Sequence, residues 1–237
     1  MEWQHIQYTF NLINKCLQNM KKLIQEIAHF KKNLSEEGRA LFARLALGQK
    51  PEALFIACSD SRLMPSLFAS THPGNIFVLR NIGNLIPPAS SSPYDSSASA
   101  VLEFSTFSLN VSDIIVCGHS ECGAMQALAR GVDGHTCPHL GSWLKHGEEA
   151  LNKVRKGLSI NPSLSEHNQI SQINVLQQMQ HVISYPFIQE RVEKKQLRVH
   201  GWWFDIAQAD VYCYKQDLHQ FVLIDEEEAN LIANNLS

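Results

Sequence analysis

The chain has 237 residues, 44% of them apolar, and a formal net charge of -3. That length and composition suit one large α/β domain or two small ones, and the charge leaves no basic footprint for nucleic acid or an anionic membrane. No apolar run approaches a membrane span, and Met1-Glu2-Trp3-Gln4-His5 lacks the basic and apolar regions of a signal peptide, so the expected compartment is the cytoplasm.

Residues 1–34 are helical in pattern, with Ile6, Phe10, Ile13, Leu17 and Met20, then Leu23, Ile27 and Phe30, at three- and four-residue steps. They read as an amphipathic helix or helix pair that packs on its own domain or on a partner subunit. Ser35-Glu36-Glu37 opens a further helix, which Gly48-Gln49-Lys50-Pro51 ends. The apolar run Ala53-Leu54-Phe55-Ile56-Ala57 predicts a buried strand, and a short helix follows Pro65. Pro73-Gly74 turns the chain into a second strand at Ile76-Phe77-Val78-Leu79.

The serine- and proline-rich stretch from Pro87 to Ser99 reads as a surface loop. Ser99 to Leu109 predicts a helix with Val101, Phe104 and Ser108 on one face, ahead of the strand Ile114-Ile115-Val116-Cys117. Helices are expected from Gly123, around 139–156 and around 165–183. Leu197 to Trp203 and Val211 to Tyr214 read as a terminal strand pair. The expected organisation is a helical arm (1–34) and a single α/β domain (35–237) with a mostly parallel central sheet flanked by helices.

Two stretches carry the chemistry. Cys58-Ser59-Asp60-Ser61-Arg62 follows the first strand, and Gly118-His119-Ser120-Glu121-Cys122 follows the third. Parallel strands would bring Cys58, His119 and Cys122 together at their carboxyl ends, where open α/β sheets bind ligands. Two thiolates and one imidazole suit zinc, and three protein ligands leave a position open for water. The bland alternative is two buried cysteines and a core histidine. A structural zinc would want a fourth Cys or His, which neither stretch supplies. Asp60 and Arg62 fit a charge-assisted pair, either structural or catalytic. His135-Thr136-Cys137-Pro138-His139 reads as a loop with incidental histidines, Cys117 as core, and Cys16 and Cys213 as packing.

The pattern C-x-D-x-R with a distant H-x-x-C resembles the β-class carbonic anhydrase family, from about Met20 to about Val222. The resemblance implies reversible hydration of carbon dioxide to bicarbonate and a proton by a zinc-bound hydroxide. It implies one Zn2+ per chain on Cys58, His119 and Cys122, with Asp60 and Arg62 as a catalytic dyad. Gln49 would donate to substrate, and Phe77, Ile82 and Phe104 would line an apolar pocket. The resemblance also implies a homodimer or tetramer whose site lies at a subunit interface, with Gln49, Phe77 and Phe104 supplied by the neighbouring chain. Relatives often begin near Met20, which makes residues 1–19 an extension. In one branch of the family the aspartate swings onto the metal, helped by bicarbonate held between a tryptophan, an arginine and a tyrosine. Phe55, Arg80 and Phe104 stand at those positions here, so Asp60 is expected to stay on Arg62. Two other classes stay open: a different zinc lyase or hydrolase for another small linear molecule, and a non-catalytic metal-binding or thiol-redox protein.

Overall fold

The structure, a computed structural model, describes residues 20–69, 72–91 and 96–236. Residues 1–19, with Cys16, and 92–95 of the serine-rich stretch lie outside them. The chain divides into two compact units, one ending at Gln49 and the other starting at Lys50.

The first unit is a helix pair. Helix α1 covers residues 20–33 and α2 covers Glu36–Leu45. The N-cap Ser35 accepts from the Gly38 amide at 3.0 Å, and Glu36 and Glu37 occupy the first turn, where a carboxylate meets the positive end of the helix dipole. A boundary after residue 34 therefore falls inside this unit. The local reason is that Phe30 and Phe42 meet edge to face at 6.3 Å, and Arg39 Nη2 reaches the Lys31 carbonyl at 3.3 Å.

The second unit holds six strands: β1 (Ala53–Cys58), β2 (Ile76–Asn81), β3 (Asp113–His119), β4 (Arg198–Asp205), β5 (Asp210–Lys215) and β6 (Gln220–Leu223). Their order is β2-β1-β3-β4-β5-β6. The first four are parallel, and β5 and β6 add antiparallel hairpins. The fold is α/β with a mixed sheet. The terminal strand pair of the sequence thus becomes a three-strand edge, because the four-residue β6 is too short to show an alternating pattern.

Helices α3 (Pro65–Phe68), α4 (Ser96–Glu103), α5 (Gly123–Arg130), α6 (Pro138–Leu144), α7 (Glu148–Arg155), α8 (Glu166–Ile183), α9 (Pro186–Glu193) and α10 (Glu226–Leu236) surround the sheet. Two expectations change. Residues 96–99 of the serine-rich stretch open α4 instead of belonging to a loop. The helix expected to run to Leu109 turns π-helical at Phe104–Ser108, where the Leu109 amide bonds the Phe104 carbonyl at 3.1 Å. That wider turn rotates the face, and Phe104 and Phe107 end exposed.

Two apolar clusters sandwich the sheet. One contains Phe55, Ala57, Ile115 and Cys117 with Met125 and Leu128 of α5. The other contains Leu54, Ile56, Ile114 and Val116 with Leu102 of α4. The alternation along β1 and β3 is the two-residue period of a strand covered on both faces. Helix α8 packs along β3 and β4. Gly118 permits its close approach, since a Cβ there would lie 2.7 Å from Val175 Cγ2 and 3.3 Å from the Ser171 carbonyl. No helix among the described residues is long and apolar enough to cross a membrane.

Candidate metal centre

Strand register assembles the centre. Ala57 of β1 pairs with Cys117 of β3, so Cys58 and His119 emerge together at the carboxyl ends of adjacent parallel strands. The chain then turns through Ser120 and Glu121, and Glu121 takes a left-handed φ of 55°. Cys122 follows as the N-cap of α5. The Cys58, His119 and Cys122 side chains are all buried, with ligand atoms within 4.8 Å of one another, and the two sulfurs lie 4.0 Å apart.

His119 settles what this cluster is built for. Its Nδ1 bonds the Ser120 carbonyl at 2.8 Å, which places the proton there and aims the Nε2 lone pair inward. Nε2 is buried and has no hydrogen-bond partner among the described residues. A buried polar atom without a partner costs about 1–3 kcal/mol, and a cation between this nitrogen and the two sulfurs removes that cost. Zinc-ligand lengths of about 2.0–2.3 Å in a tetrahedron put the ligand atoms roughly 3.3–3.8 Å apart, close to the spacing found. The donor set therefore fits a metal ion.

One of the two thiols is prepared for deprotonation. The Cys58 thiol is drawn down to about 4 by hydrogen bonding with Cys122, aided by His119 and by the Gly83 amide, which donates to Sγ at 3.4 Å. Cys122 is pushed up, because a Cys58 thiolate leaves it holding the shared proton and because it is buried. A bound cation would relieve that competition. Gly83 adopts a φ of 77° to present its amide, a conformation that costs glycine little. Cys117 is fully buried on the apolar side, and burial alone raises its thiol.

Asp60 and Arg62 form a bidentate pair beside the cluster. Arg62 Nε donates to Oδ1 at 3.0 Å and Nη2 to Oδ2 at 2.8 Å, and the Arg62 amide also reaches Oδ1 at 3.0 Å. These bonds hold the Asp60 carboxyl well below the usual range. Oδ2 lies 4.0 Å from His119 Nε2, so the carboxylate borders the ligand set. Arg80 donates to the carbonyls of Cys58 at 3.0 Å and Asp60 at 2.6 Å, so two of its five donors are committed to the loop that carries Asp60.

The remaining expected residues divide. Ile82 is half-exposed next to Gly83, with its carbonyl held by Trp143 Nε1 at 2.8 Å. Phe77 and Phe104 meet each other at 5.8 Å. Phe77 packs on the Leu54/Ile56 cluster, whereas Cys58 and Cys122 belong to the opposite one. Within one chain, then, the two phenylalanines are not brought to the cysteines. Gln49 closes the first unit, and its role stays a proposal.

Sequence reasoning missed the support from α8. Ser171 Oγ donates to the His119 carbonyl at 2.8 Å and accepts from Trp203 Nε1 at 3.1 Å. Asn168 Oδ1 accepts from the Glu121 amide at 2.8 Å. Asn174 Nδ2 donates to the Gly83 carbonyl at 3.1 Å, and Gln178 Oε1 accepts from the Ile86 amide at 2.8 Å. The available signal was a polar stripe at 168, 171, 174 and 178, at three- and four-residue steps on a helix that the core needs.

Comparison with known proteins agrees with this geometry. Residues 53–211 match the family profile described as carbonic anhydrase. A carbonic anhydrase of Helicobacter pylori strain J99 is 35% identical over 205 residues, covering 83% of this chain and 91% of that protein. The chain belongs to the β-carbonic anhydrase family. Among solved structures, the β-carbonic anhydrase CcaA is 35% identical with a TM-score of 0.80, covering 86% of this chain and 99% of that one. One of two β-carbonic anhydrases from Sordaria macrospora, described as tetrameric, is 30% identical with a TM-score of 0.64, covering 86% and 96%. The family match spans both ligand stretches and every strand of the parallel part of the sheet.

Proposed function

We infer that this chain is a zinc carbonic anhydrase, a lyase that reversibly hydrates carbon dioxide to bicarbonate and a proton. The observation that carries the reading is the buried His119 Nε2, without a hydrogen-bond partner among the described residues, within 4.8 Å of two buried cysteine sulfurs. Zinc held by Cys58, His119 and Cys122 would supply a Lewis-acidic position that makes hydroxide available at moderate pH.

The chain's own residues then do the positioning. Asp60, kept ionised and oriented by Arg62, accepts a hydrogen bond from the attacking water and aims its lone pair at carbon. Arg62 holds both Asp60 oxygens, which favours a closed Asp60–Arg62 pair and a fourth position open to water. Arg80 fixes the loop that carries them. Ile82 sits next to the Gly83 amide, at the edge of the centre. Phe77, Phe104 and Gln49 complete the substrate pocket from a second copy of the chain. Two observations support assembly: Leu23, Ile27 and Phe30 of α1 are exposed apolar residues, and the Sordaria relatives are described as tetrameric. The free state of the described cysteines supports a reducing, cytoplasmic setting.

Zinc content and stopped-flow carbon dioxide hydration on one sample test the reading. About one zinc per chain with turnover is expected. Stoichiometric zinc without turnover would point to the non-catalytic alternative.

A further inference from the structure

Each hydration of carbon dioxide releases one proton, and at high turnover that proton needs a route to solvent. We propose that His167, held by Glu121, is the residue that carries it out. The proposal rests on the carbonic anhydrase reading and names a role the family match does not assign.

The link to the centre starts at the Asp60 pair, where Arg62, which has no acceptor and stays charged, positions the next group without relaying a proton. Arg62 Nη2 donates at once to Asp60 Oδ2 at 2.8 Å and to the Glu121 carbonyl at 3.0 Å, so Glu121 stands one guanidinium away from Asp60. The left-handed turn at Glu121 leads its carboxylate onto the first turn of α8. There Asn168 Nδ2 donates to Oε1 at 3.0 Å and His167 Nε2 meets Oε2 at 3.1 Å. Ser165 Oγ lies 3.2 Å from the same Nε2.

That arrangement prepares the ring for transfer. A carboxylate on Nε2 keeps the proton on that nitrogen, leaving the Nδ1 lone pair as the base, and it stabilises the imidazolium formed when Nδ1 is protonated. Nδ1 has no partner among the described residues, and the side chain is 24% exposed, so it can pass the proton to buffer. The proton released at the centre reaches Nδ1 through the intervening solvent and passes from there to the buffer base, with no other bond changed. The charged groups around the ring are Glu121, Arg62 beyond it, and Glu166, which pairs with Arg155 at 3.2 Å.

Other histidines are placed less well. His181 is wedged between the Ile86 carbonyl, Gln177 and Gln178, and burial pulls it down. His200 bonds Asp113 at 2.7 Å, at the opposite end of β3.

The test compares the zinc-loaded wild type with His167→Ala and His167→Gln in dilute buffer and in concentrated imidazole. For both variants kcat should fall about tenfold or more in dilute buffer, kcat/KM should hold, zinc content should be unchanged, and imidazole should restore kcat. Wild-type kcat in the alanine variant, or recovery with glutamine, would overturn the proposal. Absence of turnover in the wild type would instead overturn the carbonic anhydrase reading.

Discussion

A carboxylate, a guanidinium and an imidazole meet at each end of strand β3, and only one end is built to react. At the carboxyl end Arg62 grips Asp60, and His119 Nε2 stays 4.0 Å from Oδ2 with no hydrogen-bond partner among the described residues. At the amino end, roughly 20 Å away along the strand, Arg198 grips Asp113 through Nε at 2.7 Å and Nη2 at 2.9 Å. His200 adds a bond at 2.7 Å and Ser112 another at 2.6 Å. The chemistry of the parts is the same. The difference is that every polar group of the second cluster facing Asp113 has its partner, whereas the first leaves one buried lone pair aimed at two thiols. Saturation makes a structural clasp, and a single unmet acceptor beside soft ligands makes a metal centre.

Breaking the open end should have the largest effect. Cys122→Ser or His119→Ala should lose both bound zinc and carbon dioxide hydration, read by metal analysis and stopped flow. Retention of stoichiometric zinc in both would mean the three residues are not the ligand set.

The Asp60 pair should come next. Asp60→Asn should keep its zinc and lose about 100-fold or more in kcat, as expected for a group that orients the attacking water. If zinc leaves with the carboxylate, Asp60 is itself a ligand and the contrast between the two ends narrows.

The closed end should respond in stability alone. Burial would raise the Asp113 carboxyl, but Arg198, His200 and Ser112 together hold it well below its usual range. A group whose folded-state value is depressed stabilises the fold above its unfolded value and loses that contribution as pH falls. Asp113→Asn should therefore cost about 1–2 kcal/mol near pH 7, a figure reduced for the screening of half-exposed Arg198. The gap between it and the wild type should begin to narrow as pH falls below about 4 and close only in stronger acid, as pH passes the depressed folded-state value. Loss of turnover in this variant, with zinc and fold intact, would give the amino end a catalytic part.

The smallest effect is expected at the seam between α8 and the centre. Ser171→Ala removes the bond to the His119 carbonyl and strands Trp203 Nε1, at a cost of about 1–2 kcal/mol by thermal unfolding, with zinc retained. An unchanged melting temperature would show that α8 is held by packing without this bond.

By itself the sequence determined the local parts: apolar runs that become β1 and β3, the donors Cys58, His119 and Cys122 placed just beyond them, and Asp60 and Arg62 near enough in the chain to pair. These are legible because strand period and short-range pairing depend on neighbours a few residues away. Glu121 is one residue from a ligand, yet nothing in its surroundings along the chain indicates that it faces His167. The α8 stripe that holds Ser171 and Asn174 against the centre, the short strand β6, and the π-helical turn that exposes Phe104 are equally silent in the sequence. The parallel register of Ala57 with Cys117 decided that Cys58 and Cys122, 64 residues apart, share one buried space. Whether a buried polar atom finds a partner depends on which distant segments fold over it. For that reason the unmet Nε2 of His119 and the saturated Asp113 could be told apart only in three dimensions.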